Sequence, residues 1–187
     1  YYARNSNGYS HEWIQYIKKS MAEIAPNFTT KRMMDDYFNR FYNKLADRSR
    51  KLRENNFAKA KEIVAWKENM AANWDKFEVL ELTFSPMQQS YINQGNEIYG
   101  RVVIDKKDMI GDLGVECVMV DYDYTHNKAN FIEKYEFELV KKEGSLLYFE
   151  TKETLNDPGT HQYSLRVFPK NPDLPHRMDF AYVRWIS

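Results

Sequence analysis

The sequence is poor in the residues that mark common chemistries. It has one cysteine, Cys117, in 187 residues. An internal disulfide is therefore excluded, and a single thiol cannot complete a zinc site. Absence of disulfides fits a reducing compartment, so a cytoplasmic location is expected. Glycines number seven and are scattered, without a phosphate-cradling loop of either common spacing. The four histidines, His11, His126, His161 and His176, are isolated in sequence, with no pair at the i, i+4 spacing of a helical metal site. None of the serines sits in a nucleophile elbow. No run of about 18 apolar residues occurs, which excludes a spanning helix. Net charge is zero, from 27 basic and 27 acidic residues. The chain opens on Tyr1-Tyr2-Ala3-Arg4, without an initiating Met or an apolar leader, and reads as a piece of a longer protein.

What is abundant is aromatic surface: 14 Tyr, 11 Phe and 4 Trp. That is enough to build a core, so wholesale disorder is excluded. The zero charge also hides an asymmetry. Residues 1–76 carry 15 Lys/Arg against 9 Asp/Glu, and residues 77–187 carry 12 against 18. One Pro and one Gly precede position 76, while five Pro and six Gly follow it. Both shifts place a domain boundary near Asp75–Phe77.

Residues 1–76 have helical periodicity. Ser10 is an expected N-cap, and Trp13, Ile14, Ile17, Met21 and Ile24 share one face until Pro26 stops the helix. Thr29 or Thr30 caps a second helix whose stripe is Met33, Met34, Tyr37, Phe38, Phe41, Tyr42 and Leu45. A third is expected after Asn55-Asn56, with Ala60, Ile63, Val64, Met70, Ala71 and Trp74 on its apolar side. The basic run Arg48–Arg53 fits either neighbouring helix. It is also the one feature that suits nucleic acid, although Asp47, Glu54 and Glu62 flank it and no aromatic alternates with it, so no nucleic-acid partner is expected.

Residues 77–187 alternate as strands do. Leu80, Leu82 and Phe84 fall on one side of the first, and Ile98, Gly100, Val102 and Ile104 on one side of the second. Further strands are expected over Val115–Tyr124, around Tyr135–Leu139 with Val140 breaking the pattern, at Leu146–Phe149, over His161–Val167 and over Phe180–Trp185. About seven short strands predict an antiparallel β-sandwich of immunoglobulin-like type, and the whole chain an α+β fold of three helices followed by that sandwich. Asp121 and Asp123, two apart, suit either a cation or a solvated strand end. Tyr122, Tyr124, Tyr91, Tyr99 and Tyr148 fit either a platform for stacking on sugar rings or half-buried rings with wet hydroxyls.

Tyr1-Tyr2-Ala3-Arg4-Asn5-Ser6-Asn7-Gly8, His11-Glu12-Trp13-Ile14, Ile17-Lys18-Lys19-Ser20, Ala25-Pro26-Asn27-Phe28-Thr29-Thr30-Lys31-Arg32-Met33, Asp36-Tyr37 and Phe41-Tyr42, in that order, resemble the end of the catalytic region of bacterial α-glucan (glycogen/maltodextrin-type) phosphorylases. Tyr163-Ser164-Leu165-Arg166-Val167, Pro169, Pro172-Asp173-Leu174 and Val183-Arg184-Trp185 resemble the tail of the β-domain that follows in this branch. The resemblance implies a parent that splits α-1,4-glucan with phosphate to give glucose 1-phosphate, using pyridoxal phosphate on a lysine in a Gly-Ser-Gly-Met-Lys-type loop. No such loop occurs here, so no catalytic, cofactor-binding or metal residue carries over. The expected role is a non-catalytic C-terminal fragment. Its Met33, Met34, Tyr37, Phe38, Phe41 and Tyr42 would pack on the parent's missing domain or, in the fragment alone, on the sandwich or a second copy. Possible glucan contacts fall to Tyr122, Tyr124, Tyr99 and Tyr148. The rival reading is a stand-alone glycan-binding sandwich with a helical extension.

Overall fold

The computed structural model describes residues 3–88, 95–154, 156 and 161–187, with Gln88 by its backbone alone. Two compact units emerge, Tyr1–Ala60 and Lys61–Ser187.

The first unit is helical. Helix α1 spans His11–Glu23. Ser10 stands at its N-cap in extended backbone, yet its hydroxyl makes no capping bond. Pro26 lies in the first turn of the 3-10 segment Ala25–Phe28, where a missing N–H costs nothing. Helix α2 spans Thr30–Tyr37, and Thr29 Oγ1 accepts the Arg32 N–H at 3.2 Å, the expected cap. The helix then widens into a π turn over Phe38–Tyr42 before α3, Asn43–Asn73. Glu54 is extended, and Asn55, Asn56 and Phe57 have φ of 47°, 54° and 61°, so α3 is two helical runs joined by a break. Asparagine tolerates the left-handed region, which makes Asn55-Asn56 the natural place for that break. Arg48–Arg53 belongs to the first run. No described residue of 3–60 is buried.

The second unit begins with the last turns of α3. Ile63, Trp66 and Met70 are buried there, followed by Trp74 and Phe77. The spacing places Trp66, rather than Val64, on the inner stripe. Val64 is left exposed, against the expectation from sequence.

Eight strands follow among the described residues: β1 Glu78–Phe84, β2 Glu97–Asp105, β3 Asp112–Asp123, β4 Lys128–Glu136, β5 Glu138–Glu143, β6 Leu146–Thr154, β7 Gln162–Lys170 and β8 Arg184–Trp185. They form two antiparallel four-stranded sheets, ordered β1-β2-β6-β5 and β4-β3-β7-β8. The single strand expected around Tyr135–Leu139 is two, because the chain changes sheets at Phe137. That residue's N–H donates to Val115 O at 2.8 Å while its ring is buried. The expected strand over Phe180–Trp185 shrinks to β8, since a 3-10 turn occupies Arg177–Phe180.

Both sheets contribute to one core. Ile98, Val102 and Ile104 of β2, Leu147 and Phe149 of β6, Leu113, Val115 and Cys117 of β3, and Leu165 and Val167 of β7 cluster with Trp66, Met70, Trp74 and Phe77. Strict alternation fails on the edge strands, because β1, β4 and β5 each carry a register shift against their neighbours. In β1 the extra residue is Leu80. Val79, Leu82 and Phe84 therefore meet the core while Leu80 points to solvent; the expected facing holds for Leu82 and Phe84 and fails at Leu80 and Val79. Val140 is displaced in the same way in β5. Bulges on three edges, and a fourth edge of two residues, oppose edge-to-edge pairing with another chain.

The C-terminal segment closes the unit against α3. Phe180 lies edge-on to Trp66 at 5.2 Å and Tyr182 edge-on to Trp74 at 5.5 Å. Lys67 Nζ reaches Asp179 Oδ2 at 2.8 Å, and Arg184 donates to Phe77 O at 3.1 Å. Gly111, in the turn between β2 and β3, has φ +89°, and a Cβ there would stand 2.5 Å from Trp66 Nε1. Gly111→Ala is expected to cost roughly 1–3 kcal/mol, since strained backbone and an overpacked neighbour add. Thermal unfolding should show a fall of several degrees, and an unchanged midpoint would refute this reading of the turn.

Candidate functional site

Three surfaces deserve weighing: the helical stripe, the exposed tyrosines and the outer face of the second sheet. Among the described residues no group of three or more His, Cys, Asp or Glu is placed to hold a metal ion. Asp123 instead organises the β3–β4 hairpin, accepting the Thr125 and His126 N–H groups and pairing with the His126 ring at 2.7 Å. These bonds, led by that to the His126 side chain, lower the Asp123 carboxyl below its ordinary value.

The stripe residues Met33, Met34, Tyr37, Phe38, Phe41 and Tyr42 do share a region, and each is between 41 and 54% exposed. The π turn gathers the rings. Phe38 and Tyr42 meet edge-on at 5.6 Å, and Tyr37 lies 6.3 Å from Phe41. Ion pairs Lys31–Asp35 and Arg32–Asp36 cover another side of α2. The unit thus presents an aromatic face that none of its own elements buries.

The tyrosines divide into two pairs. Tyr122 and Tyr124 lie at the end of β3 in the second sheet, rings 4.9 Å apart. Tyr122 bonds to Asn127, Gln162 Nε2 donates to Tyr124 OH at 2.8 Å, and Tyr124 is 78% exposed. Tyr99 and Tyr148 stand on β2 and β6 of the first sheet, pointing away from the core. Register pairs Tyr99 with Lys152 and Tyr148 with Val103, so the two are four rows apart. Tyr148 donates to Glu143 Oε2 at 3.0 Å, and Lys141 Nζ sits 5.3 Å over its ring, which occupies that face. Tyr99, 43% exposed, borders a groove of about 430 Å³ with Glu138, Glu150, Lys152 and Glu153. Tyr91 lies outside the described residues.

The outer face of the second sheet holds what pattern reading passed over. Glu116, in the apolar run Val115–Val120, is fully buried. Arg166 Nε and Arg177 Nη1 both donate to its Oε1, at 2.6 and 2.5 Å, and Lys134 Nζ stands 3.4 Å from Oε2. Burial by itself raises the Glu116 carboxyl. The hydrogen bonds from Arg177 and Arg166, with their charge, outweigh this and hold it below the ordinary value of 4.5. The neighbouring Cys117 thiol is pushed up to about 12, first by burial and then by the Glu116 charge, so it is no nucleophile. An acidic residue inside a β-branched run was the available signal; its partners lie 50 and 61 residues away.

The match to known families falls on this unit. Residues 74–187 match the profile of the glycogen phosphorylase C-terminal domain. The chain belongs to that family. Maltodextrin phosphorylase of Thermococcus litoralis is 29% identical over 187 residues, covering 92% of this chain and 20% of that protein. Glycogen phosphorylase of Mycobacterium tuberculosis is 21% identical over 189 residues, covering 93% and 20%. A 45-residue stretch is 42% identical to glycogen phosphorylase of Aquifex aeolicus. The chain thus spans about a fifth of the length of the relatives that match nearly all of it. Membership of the phosphorylase family agrees with the resemblance drawn from the motifs, and no helix among the described residues is long and apolar enough to cross a membrane.

Because the folded Glu116 carboxyl is lowered, its stabilising pairs are complete above pH 4.5 and are lost as pH falls through the lower folded value. Glu116→Gln should cost about 3 kcal/mol near neutral pH, as for a broken buried ion pair. It should also flatten the loss of stability on acidification. Urea melts between pH 7 and pH 3 test both, and parallel pH profiles for the two proteins would contradict the assignment.

Proposed function

We propose that this chain is the non-catalytic C-terminal part of an α-glucan phosphorylase. The parent's reaction is phosphorolysis of an α-1,4-glucan end to glucose 1-phosphate, in the cytoplasm, with pyridoxal phosphate as cofactor. What supports this is the family membership together with the fivefold greater length of the relatives named maltodextrin and glycogen phosphorylase. The cofactor does not fit the residues here. Among the described residues Lys152 and Lys170 border recesses; both are more than half exposed and paired with Glu97 and Glu136, which suits neither a Schiff base nor its dry surroundings. Cofactor and catalytic groups therefore belong to the rest of the parent.

The division of labour follows the expected parts 1–76 and 77–187, except that Trp66, Met70 and Trp74 at the end of the first belong to the core of the second. The helices complete the parent's catalytic region, and the sandwich is an accessory brace. Its strand orders, β1-β2-β6-β5 and β4-β3-β7-β8, correspond to the ABED and C′CFG sheets of immunoglobulin-type domains, which favours that finer class. The partner of the helical unit is the remaining four fifths of the parent, seated on Met33, Met34, Tyr37, Phe38, Phe41 and Tyr42. Six half-exposed apolar side chains on one short stretch need a cover, and each buried ring contributes about 1.5–3 kcal/mol. A second reading, glucan contact, is favoured by one observation: the Tyr99 ring borders a groove lined by Glu138, Glu150 and Glu153, carboxylates of the kind that can accept bonds from sugar hydroxyls.

The purified chain should form no glucose 1-phosphate from maltoheptaose and phosphate. It should bind the polypeptide that precedes it in a full-length relative, and Phe38→Glu with Phe41→Glu should weaken that complex at least tenfold. Phosphorolysis by the chain alone would overturn the proposal. So would a complex indifferent to the double substitution. Saturable maltoheptaose binding that is lost in Tyr99→Ala would establish the second reading, and no binding would dismiss it.

A further inference from the structure

We infer that the recess between β7 and the C-terminal 3-10 turn is a binding site for a tetrahedral oxyanion, phosphate or a small phosphate monoester. The argument starts from charge. Four cations, Lys134, Arg166, Lys170 and Arg177, meet two carboxylates, Glu116 and Glu136, on the outer face of the second sheet. One cation suffices to offset the buried Glu116, and it has three. Of these cations Lys170 and Arg177 line the recess, each also paired with a carboxylate, while Arg166 and Lys134 stand beside it on Glu116; the two guanidinium side chains are only 26 and 29% exposed. Partly desolvated cations without a full complement of anions attract one from solution.

Geometry singles out the place. A recess of about 220 Å³ is lined by Glu136, Phe168, Lys170, Asn171, His176 and Arg177, with Pro169 and Leu174. It is smaller than the roughly 300–1,000 Å³ clefts of drug-sized ligands, so it suits a small ion or monoester. Glu136 apart, its polar groups can donate. Asn171 Oδ1 already accepts the Asp173 N–H at 2.9 Å, which leaves its amide nitrogen to donate. His176 Nδ1 accepts the Met178 N–H at 3.1 Å, so the neutral ring carries its proton on Nε2. Lys170 and Arg177 have no acceptor at all. The sole carboxylate lining the recess, Glu136, is bonded to Lys170. An anion rich in acceptor oxygens matches this lining, whereas a neutral sugar could accept the bonds but brings no charge to meet Lys170 and Arg177.

The Arg177 fork is held in advance. Its guanidinium lies 3.5 Å over the Phe168 ring and one edge is anchored on Glu116, so several N–H groups stay available at fixed orientation. The Phe168 ring lies flat only because Gly114 faces it; a Cβ at Gly114 would come within 2.2 Å of that ring. Glu116 is thus a positioning residue, buried so that it cannot itself swing into the recess.

The test is calorimetric titration of the 187-residue chain with inorganic phosphate, and separately with glucose 1-phosphate, at constant ionic strength set by chloride. Saturable binding is expected, weakened about tenfold or more in Arg177→Gln and in Lys170→Gln. Tighter binding of glucose 1-phosphate marks a monoester site, and equal binding marks free phosphate. Circular dichroism checks that each variant is folded. If Arg177→Gln is not, Lys170→Gln decides, because its side chain is mostly exposed. No saturable binding, or binding that survives the substitution in a folded variant, would overturn the inference.

Discussion

Apolar surface has to leave water, and this chain meets that demand in only one of its two units. The sheets close over a core to which both contribute, and the end of α3 with the turn after it supplies Trp66, Met70 and Trp74 to the same core. The helical unit has nothing comparable: its aromatic residues lie side by side in solvent. An interior that is complete needs no partner to fold, and a stripe that is not covered at home belongs to an interface. That contrast is what makes the family membership intelligible. A C-terminal domain that packs by itself is joined to helices whose aromatic face stays exposed.

Electrostatics adds a second layer to the sandwich. A buried carboxylate on an outer face is costly unless it is paired. Glu116 is overpaired, drawing Arg166 from β7 and Arg177 from the C-terminal turn to one oxygen. The same C-terminal segment grips the end of α3 through Phe180, Tyr182, Asp179 and Arg184. The last residues of the chain are therefore not a tail. They connect the core's helical edge to the charged face of the second sheet.

Sequence alone made much of this legible where the physics is local. Thr29 announces α2, Pro26 ends the helix before it, and the alternation of Ile98, Val102 and Ile104 names a core-facing strand. Where a single residue shifts the period, pattern reading fails: Leu80 and Val140 sit at bulges, whose extra residue only the neighbouring strand can reveal. Trp66 was missed because Val64, its neighbour on the helix, looked equally apolar. Two partners of Glu116 were invisible because they arrive from far along the chain. The tyrosines read as one platform fall on two different sheets, and no property of the residues themselves says which sheet a strand will join. The family was legible only through motif order, since the charged cluster on the second sheet is assembled by distant contacts.

The central claim is that the two-sheet unit has a complete core while the helical unit leaves its aromatic face exposed. Amide hydrogen exchange on the 187-residue chain, alone and with the preceding polypeptide of a full-length relative, measures this element by element. The account predicts slow exchange in β2, β3, β6, β7 and the last turns of α3, fast exchange in α1 and α2, and marked slowing of α1 and α2 when the missing polypeptide is added. Helices α1 and α2 as protected as the strands in the isolated, monomeric chain would contradict it.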